Sequence, residues 1–386
     1  MTAGTAFARR RTYGPAETVW TRIWRLHWLL ILLIVLVAGL GTGVLYSAAD
    51  GNWQPWAAPQ LVRFCVGFAM MLTIGLIDLQ FWWRMAYLIY AVSLILLGIV
   101  EFAGVGDGAQ RWINLGIINL QPSEVMKVSL VLVLARYFHD LDENQVNRLI
   151  VLAVPLALTA LPVLLVLRQP DLGTAMILLA LGAGSVFLGG LAWWKFAIAG
   201  AVAGGAAPLA WTFLHDYQRD RVMTFLEPER DPLGAGYHIV QSKIALGSGG
   251  PFGKGFMEGS QAQLSFLPEK HTDFVFTMMA EEFGFFGSIF LLGLYALILF
   301  YCFGIALRSQ SVFARLLALG VGLNLFLYAF INMAMVMGLL PVVGVPLPMV
   351  SYGGTAMLTL MIGFGLVQCT AVHGVKKIGF GMNARR

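Results

Sequence analysis

The sequence predicts an all-α polytopic membrane protein of about ten transmembrane helices, with one long ordered extracytoplasmic loop between the seventh and eighth. Three observations predict it. Hydrophobic residues make up 59% of the 386 and charged residues only 12%, against roughly 45–50% and 25% in an average soluble domain. The apolar residues gather into stretches of about 17 to 28, and roughly 20 residues are needed to cross about 30 Å of hydrocarbon. Backbone amides in a bilayer must be satisfied within the segment or within a closed barrel, and the short alternating strands of a barrel do not occur in this sequence.

Spans are expected near residues 25–47, 57–78, 81–103, 123–139, 147–167, 171–190, 193–214, 280–307, 313–340 and 352–374. The first follows Arg9, Arg10 and Arg11 and precedes Ser47, Ala48 and Ala49. It is longer than the roughly 7–15 residues of a signal h-region, so it is read as a retained helix. Ten spans put both termini on one side. Short cytoplasmic loops hold an excess of Lys and Arg. With the N-terminus inside, the inside segments carry Arg22, Arg25, Arg84, Arg136, Arg148, Lys195, Arg308, Arg315, Lys376 and Lys377, while outside loops 48–56 and 341–351 carry none. The chain then divides into a cytoplasmic segment 1–24, a single transmembrane domain 25–375 containing an extracytoplasmic loop 215–272, and a cytoplasmic tail 376–386. Net charge is +5, and its placement speaks for membrane orientation rather than for nucleic acid. Cys65, Cys302 and Cys369 lie singly in apolar stretches, which gives neither a disulfide framework nor a thiolate metal site.

The long external loop exceeds the roughly 12–15 residues beyond which a loop is usually functional or disordered. Phe225, Tyr237, Ile239, Val240, Ile244 and Leu246 argue for order, with 237–247 expected as an amphipathic interfacial helix. The run GSGGPFGKG at 247–255 evokes a phosphate-cradling P-loop, but the first glycine of that pattern and its Ser or Thr fall on Ser248 and Gly255. Its glycines are therefore read as permitting turns and close backbone approach.

Ionisable residues inside a membrane cost about 2.5–3.5 kcal/mol each at a helix centre and are functional hypotheses by default. Arg63, Glu124, Lys127 and Arg168 all fall near the expected external boundary, with Arg111 in the loop at the same level. Glu124 and Lys127, three apart, share a helix face. If Arg63, Arg111, Lys127 and Arg168 converge, they form a cationic pocket sized for a phosphate or diphosphate; the competing reading is that they snorkel to the headgroups. Asp273 stands where the long loop re-enters the membrane, after Lys270 and His271. Desolvation and the neighbouring lysine act in opposite directions on such a carboxylate, which suits a tuned base; the alternative is a helix N-cap. Glu281 and Glu282 are second candidates, one to pair with a cation and the other to face a cavity. His271 and Asp273 supply two possible metal ligands without a third, so no metal site is assigned.

GAQRWINLG (108–116), QPSEVMK (121–127), RQPDLGTA (168–175), DPLGAGYHIVQSKIALGSGG (231–250), LPEKHTDFVF (267–276) and PVVGVPLPMVSYGGT (341–355) come in this order along the chain. Together they resemble the SEDS family of shape, elongation, division and sporulation proteins, over about residues 25 to 375, and its cell-elongation branch more than its division branch. The resemblance implies a peptidoglycan glycosyltransferase of the bacterial cytoplasmic (inner) membrane that polymerises lipid II into undecaprenyl-diphosphate-linked glycan at the extracytoplasmic face. It implies a class B penicillin-binding protein (PBP2-like) transpeptidase and the elongation machinery as partners, and no nucleic acid. Asp273 matches the family's essential aspartate and Trp112 a tryptophan that supports activity. Glu124, Lys127 and Asp171 match further functional positions.

Joined, the two readings give Asp273 as general base for the attacking 4-hydroxyl and the cations as stabilisers of the departing diphosphate. Direct displacement inverts the α-linked donor to a β-linkage. Trp112 is placed on a sugar face or at the headgroup level, and Lys270, His271 and Glu281 complete the expected binding set. A divalent ion, magnesium or manganese, is the one cofactor allowed for, and no nucleotide. Two other classes stay open: a lipid II flippase, although alternating access expects a site near the midplane, and a non-catalytic scaffold that activates a penicillin-binding protein.

Overall fold

The computed structural model describes residues 18–104, 111–114, 116, 119–142, 145–146, 148–213, 216–231, 234–259, 270–374 and 378. Residues 1–17 of the expected cytoplasmic segment, and all of the expected tail except Ile378, lie outside the described residues, and with them Arg9, Arg10, Arg11, Lys376 and Lys377.

The helices are α1 (Val19–Trp24), α2 (Trp28–Ala48), α3 (Ala57–Leu76), α4 (Leu79–Ala103), α5 (Pro122–His139), α6 (Leu149–Arg168), α7 (Leu172–Leu188) and α8 (Trp193–Phe213). They are followed by α9 (Asp216–Leu226), α10 (Ala235–Ser248), α11 (Val275–Arg308), α12 (Val312–Val336) and α13 (Gly354–His373). A two-residue hairpin, β1 (Ile113–Asn114) antiparallel to β2 (Asn119–Leu120), precedes α5.

A helix stands at each of the ten expected positions, with ends displaced by a few residues. Among the described residues seven helices are long and apolar enough to cross a membrane, namely α2, α3, α4, α6, α11, α12 and α13. A count of ten spans is not established by that measure. Helix α7 has only 17 residues, and α5 carries Glu124, Lys127 and Arg136. These charges are tolerated because both ends of α5 are paired. Arg136 lies 3.5 Å from the Trp83 ring centre and donates to Asp140 at 2.9 Å, and Glu124 and Lys127 bond each other at the opposite end.

Local chemistry sets the helix starts. Asp78, Asp171 and Ser311 each accept a backbone N–H at the N-terminus of α4, α7 and α12, and Pro122 occupies the first turn of α5, where its missing N–H costs nothing. The centre of the bundle is α12 and α13, whose most apolar windows are 72% and 83% buried. Helix α3 packs along α13, α5 lies against α4 and α12, and α11 lies between α2 and α12. Helix α8 stands apart, with Trp193, Trp194, Ile198, Val202 and Leu209 exposed.

The eighth span differs from its expected 280–307. Helix begins at Val275 and is broken at Gly284, whose φ of +66° interrupts the run. A short buried piece, 275–283, therefore precedes the span proper. The broken backbone is completed by the segment read from sequence as a false P-loop. Lys254 and Gly255 donate their N–H groups to the carbonyls of Glu281 and Glu282 at 3.0 and 3.1 Å, and Phe285 and Phe286 donate to Gly250 and Pro251 at 2.9 and 3.1 Å. The long loop is ordered as expected over its described part, and α10 falls on the helix expected at 237–247. Ile239, Ser242 and Ala245 face inward, while Val240 and Ile244 are exposed.

Candidate active site

The start of α5, the α6–α7 junction, the turn before α11, and the loop joining α12 to α13 meet at one end of the bundle. Between them lies a cleft of about 200 Å³ lined by Arg111, Trp112, Glu124, Lys127, Asp171, Thr174, Asp273, Tyr328, Gly344 and Tyr352, among others. These are the helix ends that the charge distribution assigns to the outer side.

Each wall is positioned by its own local bonds. Arg111 donates through Nε to the carbonyl of Gln169 at 3.0 Å and through Nη2 to that of Pro170 at 2.5 Å, which ties the strand entering the hairpin to the end of α6. Trp112 follows directly and reaches the same cleft. Asp171 caps α7, its carboxylate accepting the Thr174 N–H at 3.1 Å and the Thr174 hydroxyl at 2.9 Å. At the base, Lys127 donates to Glu124 at 2.6 Å and to the Tyr328 hydroxyl, which itself donates to the second Glu124 oxygen. All three are buried, Lys127 to 1% exposure. A charge so enclosed is stable only when paired and fully hydrogen-bonded.

Asp273 is half-buried in the turn just before α11. The N-cap position of that helix falls on Phe274, so Asp273 stands one residue before it. Its side chain lies against Gly344, where an added Cβ would stand 3.5 Å from Oδ2.

Six expected residues thus come together: Arg111, Trp112, Glu124, Lys127, Asp171 and Asp273. The others do not line the cleft. Arg63 stands behind Tyr352, donating to its hydroxyl at 2.9 Å with the guanidinium 4.4 Å from the ring centre. His271 stacks on Trp56 at 4.4 Å with the rings 7° from parallel, and Lys270 is buried at the start of the same turn. Arg168 projects away, its side chain 73% exposed and 4.0 Å from Glu101. Glu281, with no exposed side-chain surface, is bonded to Lys254 at 2.6 Å, and Glu282 accepts from Ser47.

The expectation of a cluster of four cations is therefore corrected. Within the cleft two cations, Arg111 and Lys127, stand among three carboxylates, and Lys127 already has Glu124 as its counter-ion. The cation left to face a substrate's negative charge is chiefly Arg111. Among the described residues no three His, Cys, Asp or Glu side chains group to hold a metal ion. Sequence reasoning missed Tyr328 and Tyr352. Tyr328 sits inside an apolar helix with no local motif, whereas Tyr352 lies within the SYGGT end of a block already singled out.

The chain matches the model of the FtsW, RodA and SpoVE cell cycle proteins over residues 21–375. It is 43% identical over 346 residues to the peptidoglycan glycosyltransferase MrdB of Escherichia coli strain K12, covering 89% of this chain and 93% of that one. Its structure resembles a chain of a peptidoglycan synthase complex solved to explain the coordination of polymerization and crosslinking, with a TM-score of 0.78 and 34% identity over 90% of this chain and 97% of that chain. It also resembles the crystal structure of the rod shape determining protein RodA of Thermus thermophilus, with a TM-score of 0.69 and 29% identity over 91% and 98% of the two chains. With a family match across nearly its whole length and a cleft lined largely by residues of five of the six blocks that carried the resemblance, the chain belongs to the FtsW/RodA/SpoVE family, the SEDS proteins.

Proposed function

We infer that this chain is a peptidoglycan glycosyltransferase that polymerises lipid II into glycan strands, with Asp273 as general base and Arg111 and Lys127 facing the departing diphosphate. The relatives carry the activity in their names. The observation that carries the assignment of roles is the cleft itself, in which Asp273 on one wall faces Arg111, Lys127 and Asp171 on the others.

The reaction joins the 4-hydroxyl of one sugar to the anomeric carbon of another. The new C–O bond forms as the bond from that carbon to the polyprenyl diphosphate breaks, and the hydroxyl proton passes to Asp273. A general base contributes typically 10²–10⁴-fold, and donors fixed where charge develops contribute more. Backside attack turns the α-linked donor into a β-linked product without a second carboxylate nucleophile. Trp112 offers an apolar face for a sugar ring beside Arg111. A divalent ion, magnesium or manganese, would enter with the diphosphate and not as a group resident on the chain, and no step here depends on it.

The working face is extracytoplasmic in a bacterial inner membrane, with both termini cytoplasmic. A class B penicillin-binding protein and the elongation machinery are the partners that fit, supported by the likeness to a chain of a peptidoglycan synthase complex. The test is the purified chain with lipid II and no partner, scored for glycan polymer, with a vesicle translocation assay beside it. Polymer without translocation is expected, and Asp273→Ala should abolish it with the fold intact. Translocation without polymer would establish the flippase instead, and neither activity would leave the scaffold.

A further inference from the structure

We infer that Asn332 and Ser351 are positioning residues for the transfer step, fixing the backbone that carries Asp273; this rests on the reading of Asp273 as the base. The carbonyls of three consecutive residues before α11 each take a donor from a different group. His271 accepts from the Tyr352 N–H at 2.9 Å, Thr272 from the Ser351 hydroxyl at 2.5 Å, and Asp273 from Asn332 Nδ2 at 2.8 Å. The same Asn332 nitrogen donates to Val345 at 2.7 Å, and the Ser351 oxygen accepts the Leu347 N–H at 2.7 Å. Two side chains thus join the Asp273 turn to the loop between α12 and α13, which lines the cleft beside it.

Both are buried, Asn332 to 0% and Ser351 to 3% exposure. Asn332 lies within the core helix α12, where apolar residues surround it in sequence and a leucine of similar size would fit the pattern. Its Oδ1 is buried without a hydrogen-bond partner, an arrangement that costs free energy. The amide is turned this way because its two N–H groups reach two carbonyls at once, which neither Asp nor Leu can do. Gly344, at φ +71° in the same loop, sits against the Asp273 carboxylate, so movement of the loop is movement at the base. A base must lie within hydrogen-bond reach of its proton, and a displacement of about 1 Å costs on the order of 10²-fold in rate.

The experiment uses the full-length chain in nanodiscs with lipid II as substrate. The variants are Asn332→Asp, which keeps the shape and turns the donor nitrogen into an acceptor, and Ser351→Ala, which removes one hydroxyl and carries the test if the first fails to fold. The expected result is a kcat lowered about 10- to 100-fold at nearly unchanged KM, with the acidic limb of the kcat–pH profile moved. A merely structural contribution would lower the melting temperature and scale the profile without moving it. Ser351→Ala with wild-type kcat, or with an unmoved acidic limb, overturns the inference while wild-type polymerisation stands. A wild-type chain inert towards lipid II overturns the glycosyltransferase reading itself.

Discussion

Lys127 bonds Glu124 at 2.6 Å, one turn apart on the same helix and buried at the base of the cleft they help to line. The pair resolves how a lysine stays buried inside the bundle. It also fixes what the lysine offers, since part of its charge is already answered. Breaking a buried pair by removing one partner costs about 3–5 kcal/mol, because the other charge is left uncompensated. Lys127→Ala is expected to lower stability by that order, measured by thermal unfolding in detergent. Lys127→Met with Glu124→Gln should recover most of the stability and none of the polymerisation, which separates folding from chemistry.

Tyr328 closes the same cluster from α12, bonded to both members of the pair. Tyr328→Phe keeps the ring and its packing and deletes the hydroxyl alone. Loss of a hydrogen bond to a charged group costs about 1.5–3 kcal/mol. The expected result is a folded chain of lower melting temperature, with polymerisation reduced at least tenfold because the Lys127 ammonium is no longer held towards the cleft. Glycan synthesis from lipid II, read by gel, checks it.

The helices were legible because apolar run length is a local property, and the α5 pair because residues three apart on a helix share a face. Convergence was not local. Arg168 shares its sequence neighbourhood with Asp171, yet the end of α6 turns its side chain outward while Asp171 turns in to cap α7. Tyr328 and Asn332 gave no signal, since a polar residue in an apolar helix shows its purpose only when the distant carbonyls and carboxylates it meets are placed. The GSGGPFGKG run departs from the P-loop pattern at Ser248 and Gly255. Its actual work, completing a broken helix about thirty residues later in the chain, required the break at Gly284 to be seen.

Arg111 and Arg168 make a paired test of the cleft. Arg111 is fixed to two backbone carbonyls at the cleft wall, and Arg168 is largely exposed outside it. Arg111→Ala is expected to raise the KM for lipid II and lower kcat by tenfold or more. Arg168→Ala should leave both within about twofold, since exposed ion pairs contribute on the order of 0–1 kcal/mol. Equal losses in both variants would restore the wider cationic cluster expected from sequence.

The break in α11 gives the last prediction. Gly284 has φ of +66°, and a Cβ there would stand 2.3 Å from the Gly253 nitrogen and 2.8 Å from atoms of Phe252, so substitution meets both backbone strain and backbone collision. A residue held in a conformation it rarely adopts costs about 1–3 kcal/mol, and the collision adds to it. Gly284→Ala is therefore expected to displace the 249–255 segment and loosen the short helix 275–283, whose first turn follows Asp273 directly. Protease sensitivity and hydrogen exchange should rise in both segments while α12 and α13 stay protected, and polymerisation should fall with them. Lys254→Ala is the milder counterpart, because it removes the Glu281 ion pair at 2.6 Å and leaves the backbone bonds from residues 254 and 255 in place. It should destabilise the loop with a smaller loss of activity. If Lys254→Ala proved as damaging as Gly284→Ala, the ion pair and not the backbone completion would be what holds the Asp273 helix.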